Sequence, residues 1–364
     1  MKMNFNNYAY FPILRTRQAE LNGLYHLSDD AKDKILPIIT LGKWRNTDGV
    51  DKALGKVEEC LGSRNFILDL SKEIQHQNES ISNLMLPDSI FKNWLEFIEK
   101  NKSVVPVVQF APTATRRNVV QQAVAIEKLG RTPVFRVRIN QNELDSTLAS
   151  LYALNAPEKA LIIIDAGYIR EVSTKLIKAG VLQTILNTIN TIVQEVPETL
   201  RVLAGTSYPR SVTQYRNDDS ETSGRISMLE HILYDSIGPD IVRYGDHASI
   251  HSVVYDDEGG TYLPKLDVPS DHYWYFERRP GTKSEGYKDA AETLLKNHPS
   301  LKTNTCWGAE MVRNTAAGNG KTINSPIAAI SVRVNLHIDY QLEFLEAANA
   351  MPPKEDNGDE ESWI

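Results

Sequence analysis

Short, nearly continuous apolar runs alternate along this chain with longer stretches whose apolar residues recur every three or four positions. Eight of the runs have the β-branched content of strands: "YFPILRTR" (10–17), "ILPIITLG" (35–42), "FILDLS" (66–71), "VVPVVQFA" (104–111), "PVFRVRI" (133–139), "ALIIIDAG" (160–167), "LRVLAGTS" (200–207) and "IVRYGDHA" (241–248). The segments between them carry helical periodicity, as in "TDGVDKALGKVEECLG", "SIFKNWLEFIEK" and "TRRNVVQQAVAIEKLG". In "GVLQTILNTINTIVQEV", Val181, Leu182, Ile185, Leu186, Ile189, Ile192 and Val193 make one stripe. Strands that are apolar throughout are buried on both faces, as parallel strands are. Eight β-then-α units in series predict an α/β fold, a (β/α)8 TIM-like barrel. An open doubly wound sheet also alternates, but it usually has a Gly-rich turn after its first strand. Here that turn reads "RTRQAEL".

The rhythm breaks after the eighth run. "HSVVYDDEGGTYLPKL" reads as a hairpin with an Asp/Gly turn. "DHYWYFERRPG" combines aromatic and basic residues, and 325–348 reads as a long helix with Ser325 as cap and Pro326 in its first turn. That helix is expected to close the barrel, delayed by an inserted hairpin and irregular segment over 250–324. The organisation predicted is one barrel domain over 1–350 and an acidic, Pro-led, disordered tail over 351–364.

Composition narrows the class. With 364 residues, 41% of them hydrophobic, the chain can bury a large core. The net charge of -7 gives no support to a basic nucleic-acid clamp, although a local basic patch is compatible with it. Cys60 and Cys306 lie far apart without CxxC spacing, which argues against a disulfide framework or zinc ribbon. No apolar run approaches the ~20 residues of a membrane span, and the first residues have no signal-peptide core. The expectation is a cytoplasmic protein with two free thiols.

In a TIM-like barrel the strand C-termini open onto the site. Those ends carry Arg15 and Arg17, then Lys43, then Asp69 and Lys72, then Gln109, then Arg136 and Arg138, then Asp165 and Tyr168, then Ser207, Tyr208 and Arg210, and last Tyr244, Asp246 and His247. Arg136 and Arg138 are two apart in one strand, so both point to the same face. A buried ion is kept only if it is paired or near water, and a barrel mouth offers both. Asp69, Asp165 and Asp246 are the candidate partners of Arg15, Arg136 and Arg138. Arg138, nearer the strand end, is expected to face a ligand; Arg136, one layer deeper, is expected to make a structural ion pair.

Three readings of this ring stay open. It is a charge network filling a polar core layer, a site for an anionic group, or an acid/base set with Asp69, Asp165 and Asp246 as catalytic candidates. The ligand-binding candidates are Arg15, Arg17, Lys43, Arg138, Ser207, Tyr244 and His247. Familiar barrel chemistries fit poorly. A glycosidase pair of carboxylates is missing from strands four and seven, which end in Gln109 and Ser207. No strand interior carries a Schiff-base lysine. Ser207 sits in "GTSYP", without a G-x-S-x-G elbow. An oxygen-ligand metal site from the aspartates is disfavoured by the arginines around them, so no metal and no cofactor is expected. His247 follows Asp246 directly, so the two point to opposite faces and form no relay with each other. His337, in "VNLHIDY", is expected to pack on the terminal helix.

"HYWYFERRP" (272–280) offers Trp274, Tyr275, Arg278 and Arg279 as partner-binding candidates, because Trp, Tyr and Arg dominate interface hot spots. Packing over the barrel rim and stacking against a nucleotide or nucleic acid are the other readings.

"YFPILRTRQAELNGLYHL" and "ILPIITL", with the later "DIVRYGDHA", "YWYFERRPG" and "VRVNLHID", resemble the Beta protein family of phages and prophages. That resemblance spans nearly the whole chain. It implies an immunity or antitoxin-like role, or a component of anti-phage defence, with a neighbouring-gene toxin or defence effector as partner. It carries over no catalytic residues. The expected function is therefore binding of such a partner or of a small anionic ligand, with no membrane role. The alternative is a barrel enzyme, a hydrolase of phosphorylated or nucleotide substrates, using the Arg/Asp mouth.

Overall fold

A computed structural model describes residues 3–171, 176–217, 222–253, 263–280 and 283–350. All eight predicted runs are strands: β1 (Phe11–Arg15), β2 (Ile38–Leu41), β3 (Phe66–Leu70), β4 (Val104–Pro106), β5 (Val134–Arg138), β6 (Leu161–Tyr168), β7 (Leu200–Thr206) and, after an extra strand β8 (Ser223–Ser227), β9 (Arg243–Asp246). They pair in parallel in the order β4-β3-β2-β1-β9-β7-β6-β5. The two ends meet at a Val107–Val134 bridge, where the Val108 N–H donates to the Val134 carbonyl at 2.8 Å. The sheet thus closes into a TIM-like barrel of α/β class.

The helices are α1 (Gln18–Tyr25), α2 (Asp29–Lys34), α3 (Asp51–Leu61), α4 (Glu79–Leu84), α5 (Asp88–Lys100), α6 (Arg116–Lys128), α7 (Leu144–Ala153), α8 (Val181–Glu195), α9 (Leu229–Ile237), α10 (Lys283–Asn297), α11 (Trp307–Ala317) and α12 (Pro326–Ala350). Alternation along the strands splits the apolar residues between two cores. Phe11, Ile13, Ile38, Ile67, Val134 and Ile163 fill the barrel interior. Leu14, Ile39, Leu68, Phe135, Ile162 and Leu203 face the helix layer. In α8 the buried stripe is narrower than expected. Ile185, Ile189 and Ile192 are buried, whereas Leu182 and Val193 stay more than a third exposed, at 38% and 37%.

The interruption after β9 supplies most of a second layer. Strands β10 (Lys265–Ser270) and β11 (Tyr273–Arg278) form an antiparallel hairpin, and β8, sent out by the loop after β7, adds to its edge in the order β10-β11-β8. The hairpin turns at Asp271 and His272, both with positive φ (48° and 63°), as a tight turn matched to strand twist requires. The Asp/Gly turn expected near 256–260 and the acidic segment 351–364 lie outside the described residues. Helix α12 closes the barrel as predicted. Ser325 Oγ accepts from the Ala328 N–H at 3.2 Å, capping its start. It lies so close on α1 that a Cβ at Gly23 would sit 2.7 Å from the Ser331 carbonyl oxygen.

Candidate functional site at the barrel mouth

Strand register builds the site. β1, β2 and β3 place Arg15, Thr40 and Asp69 side by side, and β5 and β6 place Arg138 beside Asp165. All are in phase with the inward residues Ile13, Ile38, Ile67, Val134 and Ile163. The barrel interior is therefore apolar below and charged at the top. β6 ends on a register shift at Asp165–Tyr168, with Gly167 at φ +61° and its N–H donating to Asp165 Oδ1 at 2.9 Å. The bulge holds the carboxylate in place where the strand leaves the sheet.

Arg136 is the hub of this layer. It donates to Asp165 Oδ2 through Nε (2.9 Å) and Nη2 (2.7 Å), and to Asp69 Oδ2 (3.1 Å) and Thr40 Oγ1 (3.0 Å) through Nη1. Arg138 reaches the same Asp69 oxygen at 2.7 Å. His247 Nε2 meets Asp165 Oδ1 at 3.0 Å. Burial alone would raise both carboxyl groups. The guanidinium groups, aided at Asp165 by His247, more than offset it, so Asp69 titrates below its ordinary value and Asp165 well below. Arg136 is buried in its ion pairs, and the Arg138 side chain, paired with Asp69 and Glu143, keeps 15% exposure; both line a cleft.

That cleft, about 470 Å³, sits over the strand ends. Among the described residues, five cationic side chains line it (Arg15, Lys72, Arg136, Arg138 and Lys178) against two carboxylates, Glu73 and Asp165. The remaining carboxylates stand behind the cations: Asp69 is 1% and Glu143 5% exposed, while Lys72 in front of Glu143 is 22% exposed. The face offered to the cleft is therefore positive although the layer as a whole is nearly balanced. Such forks of N–H donors match planar or tetrahedral anions.

Several expectations need correction. Asp246 is no partner of an arginine. Its β9 neighbours Gly245 and His247 take the inward phase, so Asp246 points out towards α12. There it accepts from Tyr10 Oη, Tyr244 Oη (3.1 Å), His337 Nε2 (2.7 Å) and the Ala248 N–H (2.7 Å). Trp274 Nε1 donates to His337 Nδ1 at 3.2 Å, which places the imidazole proton on Nε2. Tyr244 belongs to this buried outer cluster, away from the mouth. Ser207 is also buried, held between Glu230 and the Leu229 N–H. Arg15 pairs with Glu73 (3.5 Å) and Glu20 (4.0 Å) rather than with an aspartate, and donates to the His251 and Ser252 carbonyls. Arg17 is exposed and lines a neighbouring cleft; Lys43, half-buried, lines neither. Of the four partner-binding candidates, Trp274 is fully buried against Tyr208 and His337 and presents no surface. Arg279 is tied to Glu277 (2.6 Å) and Asp289. Tyr275 is half-buried against His298, and Arg278 reaches the neighbouring cleft.

Glu20 and Glu143 were legible but overlooked. Each lies five residues after a strand-ending arginine, at the start of the next helix, and each accepts that arginine's backbone N–H: Arg15 to Glu20 at 2.6 Å and Arg138 to Glu143 at 2.9 Å. The repeated Arg-x4-Glu spacing is the available signal. His76 has none. It packs so tightly against Gly42 that a Cβ there would lie 2.4 Å from its ring, and burial, followed by Arg15 and Arg17, pushes it down to about 4.

Among the described residues no helix is long and apolar enough to cross a membrane. A sequence model of the Beta protein family matches residues 10–343. The chain is 42% identical over 348 residues to Protein beta of Enterobacteria phage P4, covering 95% of this chain and 96% of that protein. With a match of that extent, the chain belongs to the Beta protein family.

Proposed function

We propose that this chain is a cytoplasmic binding protein of a phage-encoded immunity or defence system, which controls a partner effector by taking an anionic group of it into the barrel mouth. The observation that carries this reading is the orientation of charge. Cationic side chains outnumber carboxylates in the described cleft wall, and Asp69 and Glu143 stand behind Arg138 and Lys72, so an incoming anion meets donors already held in place. Family membership supports the phage setting. Co-expression with the product of the adjacent gene tests it. The wild type should co-purify with that product and relieve its toxicity, and Arg138→Ala should weaken both. Absence of any complex, with toxicity unchanged by deleting this chain, would end the proposal.

One observation favours hydrolysis of a phosphorylated or nucleotide substrate as a second reading. His247, one of the residues lining the cleft, is oriented by Asp165 through Nε2. An imidazole held by a carboxylate is the usual form of a general base. Asp69 and Asp165, engaged by arginines, are poorly suited to that role. Turnover lost in His247→Gln with anion binding retained would support hydrolysis; equal loss of both would leave binding alone.

A further inference from the structure

Beside the mouth lies a larger cleft of about 810 Å³, between the end of β1, the loop after β7, the edge of the β10–β11 hairpin and the start of α12. Among the described residues its charge is more one-sided than that of the mouth. Arg15, Arg17, Arg210, Lys265, Arg278 and Arg333 line it, and Glu20 is the one described carboxylate that does. The cations fall into two tiers. Lys265 and Arg333 form the floor. They are anchored on the buried Asp267, which Lys265 meets at 2.8 Å and Arg333 at 3.3 Å, and Tyr208 Oη lies within hydrogen-bond distance of both. Burial holds Lys265 down at about 8 even with Asp267 beside it. Arg17, Arg210 and Arg278 form the rim: Arg17 and Arg210 are exposed and Arg278 half-buried.

The two clefts share Arg15 and Val253 in their walls. At the same boundary Tyr168, in the wall of the first cleft, packs against His251, in the wall of the second, with ring centroids 4.5 Å apart, and Arg15 donates to the His251 and Ser252 carbonyls, so these residues form the ridge between the two clefts. A single anionic group would engage the Arg138 end alone and leave the second set of donors unused. Taken with the volumes, the shared arginine and the cations described in the second cleft, the geometry points to two adjoining anion subsites that one extended ligand would follow as a path over Arg15. We infer that the path takes a polyphosphate chain, of nucleotide type, with one phosphoryl group at Arg138 and the remainder passing Arg15 towards Arg17 and Arg278. This rests on the mouth being an anion site and extends it by a second subsite. Guanidinium forks spaced along a groove suit a chain of phosphoryl groups better than a compact ion.

Calorimetric titration of the full chain with orthophosphate, inorganic triphosphate and ATP, at low ionic strength and pH 7.5, tests the inference. Triphosphate and ATP should bind at least about tenfold more tightly than orthophosphate, about 1.4 kcal/mol. The double variant Arg17→Ala/Arg278→Ala should remove that advantage and leave orthophosphate binding unchanged, while Arg138→Ala should weaken all three. Thermal unfolding of the double variant checks that it folds; Arg17→Gln/Arg278→Gln replaces it if it does not. Equal affinity for orthophosphate and triphosphate in the wild type would overturn the second subsite while leaving the mouth reading intact. So would a triphosphate advantage that survives the double variant. Loss of orthophosphate binding altogether would instead count against the mouth. A twelve-base single strand that binds more tightly than ATP and depends on Arg17 and Arg278 would assign the same phosphate chemistry to a nucleic-acid strand instead of a free nucleotide.

Discussion

Replacing Arg136 by methionine probes the charged layer most severely. Arg136 is the single cation shared by Asp69 and Asp165, with contacts of 2.7 to 3.1 Å, and the side chains involved are at most 6% exposed. Removing it leaves Asp165 with His247 and Asp69 with Arg138, so both carboxylates stay buried with less compensation. Breaking a buried pair from one side costs about 3–5 kcal/mol, a large share of the roughly 5–15 kcal/mol that stabilises a folded domain. The loss should depend on pH. In the wild type the depressed carboxyl pKa values contribute stability that is present above the unfolded value of about 3.9 and is lost as pH falls through the folded values below it. In Arg136→Met the first-ranked charge opposing burial is gone and burial outweighs what His247 and Arg138 still supply, so the folded pKa of Asp165 is expected to rise above the unfolded one. The unfolded state is common to both proteins, so the cost of the substitution grows as pH rises from the depressed wild-type folded value and levels off above the raised one. Urea unfolding at pH 4.5 and pH 7.5 reads both quantities. The deficit should be about 3–5 kcal/mol at pH 7.5 and distinctly smaller at pH 4.5. Adding Asp165→Asn should recover part of it at pH 7.5. A deficit under about 1 kcal/mol, or one independent of pH, would refute the claim that Arg136 compensates two ionised aspartates.

Other substitutions separate the outer network from the mouth. Asp246→Asn removes the acceptor shared by Tyr10, Tyr244 and His337; it should cost about 2–4 kcal/mol in urea unfolding and leave anion affinity unchanged. Trp274→Ala should lower stability by about 3–5 kcal/mol, because the ring is fully buried, with no loss of partner binding among molecules that remain folded. Gly42→Ala would bring a Cβ within 2.4 Å of the His76 ring; stability should fall by about 1–3 kcal/mol, read as a lowered urea midpoint.

The barrel was legible because its strands are apolar on both faces and its helices keep their own period. That contrast survives without any knowledge of pairing, and it located all eight strands. The polar ring was legible for a related reason. Arg136 and Arg138 interrupt an otherwise apolar strand at a two-residue spacing, so they share a face and need partners. What the pattern did not supply is phase. In a strand buried on both sides, nothing local says whether Asp246 or His247 faces inward; the pairing of Phe11 with Gly245 and of Pro12 with Asp246 decides it. Proximity to the strand end favoured Asp246, and pairing overruled it. β8 escaped because "SGRIS" gains its burial only by joining the edge of β11, a partner some fifty residues later along the chain. Trp274 read as an interface anchor because aromatic density looks alike whether it covers a partner or the molecule's own second layer.

The charge orientation of the mouth is the claim on which the functional reading stands, and orthophosphate titration of the wild type, Arg138→Ala and Asp246→Asn addresses it most directly. Saturable binding in the wild type and in Asp246→Asn, lost or at least tenfold weaker in Arg138→Ala, is the predicted result. No saturable binding in the wild type, or the same affinity in Arg138→Ala, would contradict it.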